Sequence, residues 1–242
     1  MTAAQIRALL AGRLQAVEDR LAAACRRAAR TRADVTLIAV TKSVSVAVAA
    51  ALAECGVYDL GESRPQELWR KAAALPGDVR WHLVGHLQRN KIERTLPVVH
   101  LIHSADSVRL LAALDRAVAG GAVRQRPLPV LLEVNASREP NKHGFAPEDV
   151  PGLAAQLVTW QQIRVVGLMT MAAWEEDPQR CRPTFAGLRR LRDRLQADLG
   201  PAYPLPHLSM GMTHDFEVAI EEGATLVRLG TALFEGLAGA AP

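Results

Sequence analysis

Val35-Thr-Leu-Ile-Ala-Val40, closed by Thr41 and Lys42, is apolar at nearly every position and rich in β-branched residues. A strand of this kind suits a parallel sheet covered on both faces better than a sheet with one wet side. Residues 44–55 follow it, long enough for a helix that carries the chain back to a parallel neighbour. Outward from this unit the alternation repeats. Further strands are expected at 57–61, 79–85, 98–103, 128–135, 164–171, 205–210 and 225–230, and helices at 65–74, 87–96, 106–119, 147–160, 178–199 and 214–222.

Upstream, Ile6, Leu9, Leu10, Leu14, Val17, Leu21 and Ala24 recur at helical spacing over 3–30, and Thr2 with Gln5 supplies a capping box. The 242 residues are therefore expected to form one α/β domain, a single (β/α)8 TIM barrel over 35–236 with an extra N-terminal helix over 1–32. A doubly wound open sheet accounts for the same alternation, so the barrel rests on the count of eight.

Hydrophobic residues make up 49% of the chain and charged residues 22%, which suits a packed core and argues against disorder. A net charge of +4 and a pI of 9.3 would suit a polyanionic partner. The arginines are interspersed with acids, as over 180–198, so they read as solvated helix faces and no nucleic acid is expected. Apolar runs such as 46–53 are too short to span a bilayer, and the N-terminus lacks a signal pattern. A cytoplasmic monomer without a membrane partner is the expectation. Cys25, Cys55 and Cys181 are widely separated and without CxxC spacing, which supports neither a disulfide framework nor a zinc site.

In a parallel barrel, chemistry gathers where the strands end. Here the ends carry Thr41-Lys42, Gly61-Glu62-Ser63, His82 to His86, His103-Ser104, Glu133 with Asn135, Met169 to Met171, Ser209 to Met212, and Arg228, Gly230 and Thr231. The lysines are Lys42, Lys71, Lys91 and Lys142, while arginine supplies most of the basic charge. Lys42 is either a solvated side chain at the barrel mouth or a desolvated amine able to attack an aldehyde. Ser209, Gly211, Gly230 and Thr231 follow the seventh and eighth strands, the common phosphate site of this fold. Each alone reads as a cap or a locally satisfied hydroxyl, whereas their pairing on adjacent strands points to a phosphate dianion.

Arg228 shares a strand face with Gly230 and so points inward, toward either a ring nitrogen or a carboxylate such as Glu133. His82, His86, His100 and His103 lack metal-motif spacing, and no carboxylate stands ready to complete a ligand set. They read as packing or pocket-lining residues, and no metal is expected. Met169, Met171, Met210 and Met212 read as core filling or as one wall of a cofactor site.

Six segments, Leu37-Ile-Ala-Val-Thr-Lys42, Gly61-Glu-Ser-Arg-Pro-Gln-Glu67, Trp81-His-Leu-Val-Gly-His-Leu-Gln-Arg-Asn-Lys91, Gly167-Leu-Met169, Leu208-Ser-Met-Gly-Met212 and Val227-Arg-Leu-Gly-Thr-Ala232, recur in a distinctive order. Together they resemble the pyridoxal phosphate homeostasis proteins, a family similar to the barrel half of alanine racemase. The resemblance implies pyridoxal 5′-phosphate (PLP) as cofactor, with Lys42 as its Schiff-base lysine. It places Ser209, Gly230 and Thr231 on the phosphate, Arg228 opposite the pyridine nitrogen, and Met210, Ser63 and His82 among the cofactor's neighbours. It also implies a protein without established turnover that controls free PLP and delivers it to apo PLP-dependent enzymes. Two positions depart from the family: Ser63 stands where Asn is frequent, and Val44 where a second lysine is frequent. Ser63 would reach the cofactor region through water.

Racemisation of the alanine racemase type is the alternative activity, and it needs a second base opposite Lys42. Alanine racemases take a tyrosine from a further domain of the partner subunit. The tyrosines here are Tyr58 and Tyr203, and Tyr203 precedes the seventh strand, at the wrong end of the barrel. A lysine Schiff-base aldolase on the same fold is a third reading, one that would tolerate loss of the Arg228 contact.

Overall fold

The computed structural model describes residues 1–121, 123, 127–139 and 143–237. Helix α1 (Ala3–Arg27) opens the chain, with the Thr2–Gln5 capping box formed as its first residues imply. Then β1 (Thr36–Val40), α2 (Val46–Glu54), β2 (Asp59–Glu62), α3 (Pro65–Ala72), β3 (Arg80–Leu83) and α4 (Ile92–Thr95) follow in turn. The middle holds β4 (Val99–Ala105), α5 (Val108–Gly120), β5 (Leu128–Glu133), α6 (Ala154–Leu157) and β6 (Ile163–Met169). Last come α7 (Arg182–Leu199), β7 (His207–Ser209), α8 (Phe216–Glu221), β8 (Leu226–Leu229) and α9 (Thr231–Phe234).

Every strand pairs in parallel with the next, and β1 pairs with β8 from Thr36↔Leu226 to Ala39↔Leu229. That last ladder closes the barrel and excludes the open doubly wound sheet. All eight expected strands are present, but two expected helices shrink. Over 147–160 only one turn, Ala154–Leu157, is α-helical, because Pro147, Pro151 and Gly152 interrupt the first half. Over 87–96 the α-helix is confined to Ile92–Thr95, entered through a 3-10 turn and followed closely by Pro97.

Helix α1 packs across α2, α8 and α9 and buries Ile6, Leu10, Val17 and Leu21. Its exposed side reaches α8 through Arg20 and Arg27 to Glu217, and Arg27 to Glu221. The main core lies between the strands and the helix ring. A separate, smaller cluster of Ile38, Leu101, Leu131, Met169 and Leu226 fills the inside of the barrel. Strand alternation sends His82, His103, Ser209 and Arg228 into the same interior, all of them buried. Among the described residues no helix is long and apolar enough to cross a membrane.

Candidate functional site at the barrel mouth

Closure sets β7, β8, β1 and β2 side by side, so Ser209, Gly230-Thr231, Lys42 and Ser63 stand at or just beyond the C-terminal ends of four consecutive strands. Lys42 lies in the turn after β1, exposed, and its ammonium has no hydrogen-bond or ion-pair partner among the described residues. The desolvated setting considered for it from the sequence is not found. The strand ends at Val40, and the turn lifts the side chain to the rim. Ser63 is half-buried one residue beyond β2, its backbone so close to Gly85 that a Cβ there would meet the Ser63 carbonyl. Lys142 lies outside the described residues.

Behind Lys42 sits a group that the sequence reading missed. Lys71 is fully buried, and its ammonium donates to the Thr41 carbonyl at 2.6 Å and to Glu62 Oε1 at 2.5 Å. Glu62 also accepts from the Thr41 hydroxyl at 2.8 Å. The missed signal is helical spacing: Pro65, Leu68 and Lys71 form the buried face of α3.

Inside the barrel, the partners of Arg228 are neutral acceptors. It donates to Ser209 Oγ at 2.6 Å and to the Thr170 carbonyl at 2.9 Å, rather than forming the ion pair with Glu133 that the sequence also allowed. Burial lowers its pKa to about 10, so it remains a cation at neutral pH. Ser209 Oγ lies 2.8 Å from His103 Nδ1, His103 Nε2 lies 3.0 Å from His82 Nδ1, and His82 Nε2 lies 3.0 Å from Asp59 Oδ1. His82 thus stands two hydrogen bonds behind Ser209, inside the barrel. Asp59 and its partner Arg80 were not singled out in the sequence. Asp59 lies two residues before Gly61 on β2, which gives both the same strand face.

Met210 is buried in the core between strands and helices, so its side chain does not line the mouth. Met169 fills the barrel interior, as core filling implies, whereas Met212 is exposed. Gly211 has φ +92, and a Cβ there would sit 2.6 Å from the Ala219 side chain. Its demand is therefore the close packing of α8. At Gly230 a Cβ would come no nearer than 3.5 Å to the protein, so the backbone there is open to approach. Thr231 is exposed at the start of α9, a helix of one turn with little dipole to offer. The Ala232 N–H is already given to Thr213 Oγ1.

Across the mouth, burial and then the nearby Asp106 push the Glu133 carboxyl up to about 7. His86 Nδ1 meets Asp106 Oδ2 at 2.8 Å and its ring stacks on His143 at 4.8 Å. The expectation that no carboxylate accompanies these histidines is corrected here: three consecutive loops bring Asp106 to His86 and His143 with donor atoms within 4.8 Å of one another. Neither tyrosine reaches the mouth. Tyr203 is buried ahead of β7 with its hydroxyl on the Val165 N–H, and Tyr58 precedes β2.

The barrel and its sequence have known relatives. Residues 13–237 match the alanine racemase N-terminal domain family. A pyridoxal phosphate homeostasis protein of Aquifex aeolicus is 42% identical over 223 residues, covering 92% of this chain and 96% of its own. This chain belongs to the pyridoxal phosphate homeostasis protein family. Two solved structures of similar chains share its barrel. One, of an unknown protein from Bifidobacterium adolescentis, is 37% identical with a TM-score of 0.88 over 95% of this chain and 96% of that one. The other, PipY of Synechococcus elongatus with PLP bound, is 32% identical with a TM-score of 0.79 over 93% of this chain and 99% of that one. As a member of the family, the chain keeps the barrel.

Proposed function

We propose that this protein binds PLP at the C-terminal mouth of its barrel as a Schiff base on Lys42. It serves intracellular PLP homeostasis by holding the cofactor and passing it to apo PLP-dependent enzymes. The carrying observation is Lys42, exposed in the turn after β1 and without a partner among the described residues, beside β8 and, next to that, β7, which offer Gly230, Thr231, Ser209 and Arg228. PLP bound to PipY supports the choice of ligand.

When bound, PLP supplies an aldehyde that an amine takes up as C=N with loss of water. The protein's own groups do the rest. Gly230 leaves its backbone open to a phosphate, and Thr231 presents an exposed hydroxyl donor. Arg228 has N–H groups beyond the two given to Ser209 and Thr170, and one of them would serve the ring nitrogen. An arginine there keeps the ring unprotonated and weakens it as an electron sink, which suits holding over turnover. Ser63 and the Met210 backbone border the cofactor, and His82 acts through His103. The chain works as one PLP-binding domain, cytoplasmic and monomeric.

Borohydride reduction of PLP-loaded protein, followed by peptide mass mapping, tests the site. A reduced pyridoxyl adduct is expected on the peptide holding Lys42 and none after Lys42→Ala; label on another lysine overturns the assignment. Incubation of the loaded protein with L-alanine tests the carrier role. Repeated turnover to the D-isomer would overturn it, and regained activity of an apo PLP enzyme mixed with the loaded protein supports delivery.

A further inference from the structure

The interior hydrogen bonds form one continuous line from the lower rim of the barrel to its mouth. Arg80 grips Asp59 through two bonds, Nε to Oδ1 at 2.7 Å and Nη2 to Oδ2 at 2.5 Å. From Asp59 the line runs through His82 and His103 to Ser209, which also accepts from Arg228.

The direction of every proton along it follows from one end. Burial works against the Asp59 charge, but hydrogen bonds from Arg80 and His82 outweigh it and hold the carboxyl well below its ordinary range. Ionised Asp59 can only accept, so His82 Nε2 carries a proton. With both imidazoles neutral, His82 Nδ1 is an acceptor, and His103 Nε2 must donate to it. His103 Nδ1 is then an acceptor as well and takes the single proton of the Ser209 hydroxyl. Ser209 has no proton left for a phosphate. Turning the hydroxyl outward would leave a buried ring nitrogen unpaired, which costs the desolvation of that nitrogen.

One extra proton reverses the line. With both nitrogens of His82 protonated, Nδ1 donates to His103 Nε2, His103 Nδ1–H donates to Ser209 Oγ, and the hydroxyl proton is free to point to the mouth. We propose that Asp59, His82 and His103 are positioning residues that set the direction of the Ser209 hydroxyl, so that a phosphate monoester dianion binds together with one proton taken from solvent onto the histidine pair. This rests on the reading above that Ser209 faces the phosphate.

The groups facing the pair fix where that proton resides. They are Asp59 on β2, Arg80 on β3, His100 on β4, His207 on β7 and Arg228 on β8, while β1, β5 and β6 present Ile38, Leu131 and Met169. Burial first, then His82 and Arg228, hold His103 neutral, and burial lowers His207. Of the pair, His82 is the imidazole in contact with the Asp59 carboxylate, at 3.0 Å. Glu133 reaches the line only through its field at Arg228.

Pyridoxine 5′-phosphate is the probe, because it lacks the aldehyde and cannot bond to Lys42. Titration calorimetry at about pH 8, where the ester is already a dianion, is run in two buffers of different ionisation enthalpy. Uptake of about one proton per ligand is expected for the wild type, and near zero for His103→Leu, which has no nitrogen to satisfy. Asp59→Asn, a milder change that frees the direction of the line, is expected to take up less than half the wild-type amount. If His103→Leu does not fold, Asp59→Asn and the wild type decide. Binding by the wild type without uptake, unchanged uptake in a folded variant, or no binding of the probe overturns the relay. A Lys42 adduct that persists alongside any of these outcomes leaves the cofactor assignment standing, so the two failures are distinguishable.

Discussion

Lys42 follows Thr41 in the chain, and Lys71 reaches the same residue through space, yet the two ammonium groups live in opposite surroundings. Lys71 is sealed behind the strands, spending its hydrogen bonds on the Thr41 carbonyl and Glu62. Lys42, on the mouth side, has no partner among the described residues. A buried ammonium is tolerated only when its desolvation is offset by good partners, and such partners leave it no freedom to react. An amine at the rim keeps its hydration and its freedom, and can become a nucleophile. The Lys71 side is tight but not complete, since Glu62 Oε2 is buried without a partner among the described residues. Glu62 therefore depends on Lys71 for its neutralisation.

The largest effect expected from this contrast comes from breaking the sealed pair. Lys71→Met leaves the Glu62 charge uncompensated and should lower unfolding stability by about 3–5 kcal/mol, whereas adding Glu62→Leu should recover most of that. Urea denaturation reads both. A single variant as stable as the wild type would erase the distinction between the two lysines.

Glu133 sharpens the contrast, being buried near the mouth with its pKa pushed up to about 7 by burial and by Asp106. A carboxyl raised in the folded state has no effect where both states are protonated. It costs stability as the pH rises from the unfolded value near 4.3 through the folded value, because the unfolded chain releases its proton first. Glu133→Gln should therefore be more stable than the wild type at neutral and alkaline pH, by up to about 3 kcal/mol, with the gain gone below about pH 4. Thermal unfolding across pH checks the sign, and a gain that grows on acidification contradicts it. Lys42→Ala should move stability least, within about 0.5 kcal/mol. A larger loss would mean that Lys42 has structural partners after all.

Much of this was legible before the structure. The period of the apolar runs, the strand ends and the order of the motifs follow from local chemistry: β-branched strands covered on both faces, helices between them, and polar residues where strands stop. Lys42, Ser209, Arg228, Gly230 and Thr231 could be named on those grounds, because a strand's end and its two faces are properties of short segments. Prolines at 147 and 151 could also have warned that the helix between the fifth and sixth strands would be short.

What only the tertiary structure decided are pairings between distant residues. Closure by β1 and β8 brings Lys42 beside Gly230 and Thr231. The barrel interior joins Asp59, His82, His103 and Ser209, which are spread over 150 positions of the chain, into a single hydrogen-bonded line. Whether a lysine is sealed or open depends on which strands and helices meet around it. Burial and hydrogen bonding are set by through-space neighbours, and a linear pattern specifies which face a residue takes but not what stands opposite.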